Sequence, residues 1–173
     1  MRSPKEFCSG HIPSAISFPL FSDAERADIG TSYKQEGPDR AIELGYKYAN
    51  PKIDHFLSKA SKLAVNNTLL LHCWRGGLRS ESMVKLLVDN GFHVPVLEGG
   101  YKAYRRWVKQ ILARDYQLIL LGGYTGSAKT EILHELKKLG ENVLDLEGLA
   151  QHKGSVFGSS ATHQPSTEQF ENN

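Results

Sequence analysis

The chain has 173 residues, a formal net charge of +2 and two cysteines; 40% of the residues are hydrophobic and 23% are charged. This length holds one full domain, or one small domain and part of another, with the balance of a soluble globular protein. It excludes a disulfide framework, offers no apolar run near the roughly 20 residues of a membrane span, and neither demands nor forbids a nucleic-acid partner.

Met1 opens onto charged and polar residues, so no signal peptide is expected and a reducing cytoplasm is the expected compartment. Along the chain, short apolar runs alternate with helical periods, the pattern of α/β layers. Thr68–Cys73 reads as a buried strand. Ser80–Phe92 places Met83, Leu86, Leu87 and Phe92 at helical spacing, with Gly91 as a stop signal. The run from His93 reads as a strand ended by Gly99 and Gly100, and Tyr101–Ala113 as an amphipathic helix. Gln117–Gly123 reads as a strand, Lys129–Gly140 as a helix closed by its glycine, and Asn142–Gly148 as a last strand. Ala150–Asn173, rich in Gly, Ser, Gln and His, is expected to be irregular. A boundary near Arg114–Asp115 divides a domain over 1–114 from another over 115–173. Two strands and one helix bury too little for a P-loop domain, so the second is expected to be incomplete.

The first chemical signal is His72–Ser80, HCWRGGLRS. A strand delivers Cys73 to a loop that opens a helix near Ser80. Gly76 and Gly77 allow a tight turn with inward N–H groups, and Arg75 and Arg79 can each grip an oxyanion. Such an anion cradle at a helix N-terminus lowers a thiol pKa and makes Cys73 a nucleophile. The Cys-x5-Arg-Ser spacing suits attack on phosphorus as well as carriage of a chalcogen atom. His72 is expected to orient the loop, and Trp74 to line a pocket or to pack over it. Cys8 is expected to be inert.

The second signal is Gly122–Thr130, GGYTGSAKT, placed between an expected strand and an expected helix as a P-loop requires. The pattern is met at Gly123, Lys129 and Thr130 and departs at Ala128, where glycine is expected; a methyl group there calls for a negative φ. Gly126 and Ser127 offer backbone N–H groups, Lys129 reaches phosphate, and Thr130 can take phosphate or Mg²⁺. Asp145 sits where an acidic Mg²⁺ partner could stand, or is a surface turn residue.

Further stretches carry a resemblance. Arg2–Pro19, with Glu6 and the turn Gly10-His11-Ile12-Pro13, resembles the opening motif of rhodaneses, and Val96–Tyr104 resembles their closing strand and turn. With the P-loop, the insertion Phe18–Gly45 and the downstream stretches DLEGLAQHKGSVFG and QPSTEQFEN, the chain is similar to the tRNA 2-selenouridine synthase family over nearly all its length. The resemblance implies a rhodanese-like parallel sheet with flanking helices, followed by the start of a P-loop NTPase-like α/β domain. It also implies that the first strand of the sheet is missing. The implied activity replaces the sulfur of 2-thiouridine at the tRNA wobble position with selenium from selenophosphate. The implied route runs through a geranylated intermediate made from geranyl diphosphate. By the same resemblance Cys73 carries selenium, Arg75, Gly76, Gly77 and Arg79 form its anion loop, and Gly123, Gly126, Lys129 and Thr130 form the P-loop. The implied partners are tRNA and the two small co-substrates, with no covalently bound cofactor and no membrane.

Two other readings stay open. A Cys-x5-Arg phosphatase of rhodanese fold fits the loop, although the P-loop and Phe18–Gly45 speak against it. An inactive remnant or binding module is the non-enzymatic alternative. The basic residues Lys102, Arg105, Arg106 and Lys109 share one predicted helix; they either meet RNA phosphates or form a solvated face.

Overall fold

The computed structural model describes residues 1–124, 126–152 and 164–173. The chain forms two compact units, Met1–Lys109 with Asn172, and Gln110–Glu171 with Asn173.

The first unit opens with α1 (Pro4–Ser9), whose N-cap backbone N–H of Ser3 donates to Glu6 at 2.9 Å. The insertion folds as a helical hairpin, α2 (Asp23–Gln35) and α3 (Pro38–Ala49). Its signals are local. Ser22 and Glu25 form a reciprocal capping box at the start of α2, and Gly37, at φ 99°, turns the chain into Pro38. A 3₁₀ turn (Asn50–Lys52) leads to α4 (Ile53–Leu63). Helices α5 (Leu78–Asp89) and α6 (Gly100–Leu112) appear where periodicity placed them, each beginning slightly earlier. The core gathers Leu20, Phe21, Phe56, Ala60, Leu71, Cys73, Met83, Leu87 and Val94. Cys73 is thus embedded in apolar packing by its own strand segment.

Among the described residues the expected parallel sheet is not formed; what stands in its place is one pair of extended segments joined by isolated bridges. His93 N–H donates to Asn67 O at 2.8 Å, Leu69 N–H to His93 O at 3.0 Å, Leu71 N–H to Pro95 O at 2.9 Å and Leu97 N–H to Leu71 O at 3.0 Å. The bridges Thr68–His93 and Leu71–Val96 are parallel. Side chains alternate across this pair, with Leu71 and Cys73 buried and Leu70 exposed.

The second unit corrects several expectations. Helix α7 (Lys129–Lys138) forms, but the strands expected at 117–123 and 142–148 do not. Leu118, Ile119 and Leu120 are 75%, 102% and 93% exposed. A strand of that apolar type needs neighbours on both faces, and none of the described residues supplies them. The second expected strand gives way to α8 (Leu146–Ala150), capped by the Asp145 side chain, which accepts from Gly148 N–H at 3.0 Å. Asp145 is therefore a helix cap here. The tail expected to be irregular over Ala150–Asn173 begins at the end of α8 and contains α9 (Thr167–Asn172), capped by Ser166; its residues 153–163, with part of DLEGLAQHKGSVFG, lie outside the described residues. No helix among the described residues is long and apolar enough to cross a membrane.

Candidate active site

Cys73 ends the extended segment 67–73 and is 3% exposed. Its Sγ lies 3.3 Å from Ser80 Oγ and accepts the Gly76 N–H at 3.2 Å. Ser80 is itself buried; its hydroxyl accepts the Gly77 N–H at 3.1 Å, and its one proton has two acceptors in reach, Gly77 O at 2.9 Å and the Cys73 sulfur. Burial pushes the Cys73 thiol up, but the Ser80 hydroxyl and the N–H groups of Arg75, Gly76 and Gly77 outweigh it and hold the pKa below the ordinary thiol value. Backbone N–H groups of the loop and the Ser80 hydroxyl thus favour the thiolate over the thiol. Because the pKa is lowered, the reactive form persists to lower pH than in a free cysteine. Ser80→Ala removes one of these hydrogen bonds. In a Cys8→Ala background, the pH profile of Cys73 alkylation by iodoacetamide should move to higher pH, with a several-fold slower rate at neutral pH.

The two arginines of the loop differ. Arg79 Nη1 donates to Glu6 Oε2 at 3.2 Å, and the same carboxylate holds Arg26 Nε at 2.7 Å. Partial burial pushes the Glu6 carboxyl up, while the Ser3 N–H and the two guanidinium groups pull it down further, so it stays ionised. Arg75 is exposed and has no ion-pair partner among the described residues. Glu6 therefore ties Arg79 to α1, whereas Arg75 is not held in this way. Glu6 was legible only as part of a motif; its task depends on a contact 73 residues away in sequence.

The wall behind the loop is the start of α6. Tyr101 N–H donates to Cys73 O and Lys102 N–H to Trp74 O, both at 2.9 Å. Gly100, at φ 59°, makes this approach possible: a Cβ there would stand 2.6 Å from Cys73 O and 3.0 Å from the nitrogens of Arg75 and Gly76. The Arg2 guanidinium lies 3.9 Å from the Tyr101 ring centroid and 5.1 Å from that of Trp74, and donates to Gly10 O. Trp74 serves here as packing, 5.7 Å from Tyr101. His72 Nδ1 is 3.4 Å from Cys73 O, and burial pushes its pKa down. Asn172, which belongs with this unit, bonds Tyr101 Oη at 2.8 Å and His11 O at 2.9 Å. Cys8 is exposed and Cys73 buried, both as free thiols.

In the second unit Gly123 and Gly126 take φ 154° and 80°. Ser127 N–H and Oγ both turn onto Tyr124 O, at 3.2 and 2.8 Å. Lys129 Nζ reaches back over the loop to Gly123 O at 2.9 Å and Tyr124 O at 2.7 Å, and Thr130 is the exposed second residue of α7. The negative φ expected at Ala128 is wrong: it sits in the left-handed region at φ 57°, ψ 24°, the conformation the missing glycine would adopt freely. Ala128→Gly is accordingly expected to stabilise the chain by about 0.5–1 kcal/mol, the relief of strain less the entropy gained by the unfolded chain, measured by urea denaturation.

Comparison with known proteins adds two family matches, the Rhodanese-like domain over residues 1–107 and the tRNA 2-selenouridine synthase AAA domain over residues 116–173. Both fit the α/β class. Curated relatives named tRNA 2-selenouridine synthase include those of Sulfurovum sp., at 40% identity over 99% of this chain and 48% of the relative, and Pseudomonas syringae pv. tomato, at 43% over 99% and 47%. The chain spans about half the length of these relatives. A crystal structure titled as the N-terminal domain of a putative ATP/GTP binding protein from Clostridium difficile 630 matches at TM-score 0.59 and 42% identity, covering 62% of this chain and 84% of that one.

Proposed function

The chain belongs to the rhodanese-like domain family and resembles tRNA 2-selenouridine synthases over 99% of its length, and on that premise we propose that it performs the cysteine-borne step of a selenium-for-sulfur exchange on tRNA wobble uridine. The observation that carries this reading is a thiol buried in apolar packing whose pKa Ser80 and three backbone N–H groups nevertheless hold below the ordinary thiol value. In this reading the first domain, 1–114, completes a rhodanese-like parallel sheet around the paired segments, and the second, 115–173, begins a P-loop domain.

Arg75 grips the phosphoryl end of selenophosphate while Cys73 attacks selenium. An S–Se bond forms and the Se–P bond breaks. Its electron pair stays on phosphorus, which takes up a proton and leaves as phosphite. The P-loop residues Gly123, Gly126, Ser127 and Lys129 bind the diphosphate of geranyl diphosphate, with Thr130 offering a hydroxyl to a Mg²⁺ ion carried with it. Transfer of the geranyl group to the C2 sulfur turns that sulfur into a thioether leaving group. The terminal selenium on Cys73 displaces it as geranylthiol, and a pair of external thiols then cleaves the S–Se bond, becoming a disulfide. Exposed Lys102, Arg106 and Lys109 on α6 serve as phosphate contacts for the RNA. Arg105 is committed elsewhere, to Asn172 Oδ1 at 2.7 Å.

Lys129→Ala separates the two roles. It should abolish prenylation of thiouridine-containing tRNA while leaving selenium loading on Cys73 unchanged; survival of both would contradict this division. The Cys-x5-Arg spacing supports a second reading, in which the thiolate attacks phosphorus, forms a phosphocysteine and releases hydrogen selenide with no change of oxidation state.

A further inference from the structure

Helix α6 carries groups that the chemistry at Cys73 does not use. Its inner face is sealed by Tyr101 and Val108, both buried. Its outer face holds Lys102, Arg106 and Lys109 at i, i+4 and i+7, one above the other, and the helix contains no acidic residue. These three are exposed and have no ion-pair partner among the described residues.

Trp107 borders that basic face, about 100° round the helix from Arg106, and is 55% exposed. A single exposed aromatic needs no explanation by itself. What distinguishes this one is its bracing and its charged border. Tyr104 lies 5.9 Å from it, centroid to centroid, and is fixed by its hydroxyl, which donates to Asn172 O at 3.2 Å. The row of rings continues inward through Tyr101, 6.0 Å from Tyr104, to Trp74, 5.7 Å from Tyr101. Tyr101 N–H in turn donates to Cys73 O at 2.9 Å. The exposed indole is thus tied by packing to the cysteine loop, about 9 Å along the helix axis from Tyr101. All of these residues belong to the first unit.

We propose that Trp107 is a stacking platform for an unpaired nucleobase of the RNA, with Lys102, Arg106 and Lys109 holding the phosphates beside it. An aromatic ring next to a basic strip holds single-stranded nucleic acid by the faces of its bases, whatever its sequence. A duplex offers phosphates but keeps its base faces stacked on one another, so the ring adds nothing to duplex binding. Trp107 is in this role a positioning residue. It favours a loop over a paired stem and holds a base next to the reacting uridine, close to the Cys73 loop. The inference rests on the reading of tRNA as substrate and adds to it the kind of RNA structure recognised.

The test is fluorescence anisotropy of the full chain with a labelled anticodon stem-loop RNA containing 2-thiouridine, and with a fully paired RNA duplex of the same length. Trp107→Ala should weaken stem-loop binding about five- to a hundredfold, the loss of one stacked base, and leave duplex binding unchanged. Trp107→Phe should restore most of the loss. Salt separates stacking from charge. Trp107→Ala should keep the slope of log affinity against log salt, while Arg106→Gln should reduce it by about 0.7–0.9 for both RNAs. Indole emission gives a second readout that does not depend on the fold of an alanine variant: the stem-loop should quench it in the wild type, and this quenching should be absent from Trp107→Phe. Stem-loop affinity unchanged in Trp107→Ala, equal losses for stem-loop and duplex, or unquenched emission would overturn the stacking role and leave tRNA as the substrate. A wild-type chain that binds neither RNA would overturn that reading and the stacking role with it.

Discussion

Cys73→Ala is expected to reduce selenium loading from selenophosphate to background and with it the selenation of thiouridine-containing tRNA. The effect should be complete because the site contains no substitute. The other cysteine, Cys8, is exposed, and the bonds from Ser80 and the Gly76 N–H converge on the Cys73 sulfur. A hydroxyl at 73 would retain the geometry without the low-pKa nucleophile, so Cys73→Ser should be as inactive as Cys73→Ala while unfolding at nearly the same urea concentration. Loss of activity together with loss of fold in both variants would mean that the residue is needed for packing alone.

The second large effect is on structure. Gly100→Ala should destabilise the chain by about 2–5 kcal/mol, combining a left-handed backbone for a residue with a Cβ and overpacking against the loop. The atoms that the methyl would strike are main-chain atoms of Cys73, Arg75 and Gly76, which cannot rotate away as a side chain would. Natural domains are stable by only about 5–15 kcal/mol, so this loss is a large share of the total. Urea denaturation gives the stability, and alkylation of Cys73 gives the second readout. Displacing the loop should remove the N–H bonds that lower the thiol pKa, and reactivity at neutral pH should fall even in the folded fraction. A stable variant with an unchanged alkylation profile would show that the start of α6 does not shape the loop.

What was legible in the sequence follows the range of the interactions involved. The cysteine loop is contiguous, and its Cys-x5-Arg-Ser spacing places Ser80 in the first turn of α5, so its chemistry could be read directly. Helices α5, α6 and α7 announced themselves by apolar spacing, and the Ser22-x-x-Glu25 box and Gly37-Pro38 were available signals for the hairpin that went unread as elements. Strands were less legible because pairing is not local. Thr68–Cys73 and Gln117–Leu121 are apolar runs of the same kind, yet only the first finds a hydrogen-bonding neighbour among the described residues. The grip of Glu6 on Arg79 and the fit of Gly100 under the loop are likewise long-range and required coordinates. The left-handed backbone at Ala128 shows the reverse case, in which the loop template overrides the preference of the residue placed in it.

The most direct measurement of the central claim is the intact mass of the chain after incubation with selenophosphate and removal of small molecules, for the wild type and Cys73→Ala. The account predicts a gain of one selenium atom on the wild type, located at Cys73 by peptide mapping, reversed by an external thiol and absent from the variant. No adduct, a selenium adduct that persists in Cys73→Ala, or a phosphoryl group on Cys73 in place of selenium would contradict it.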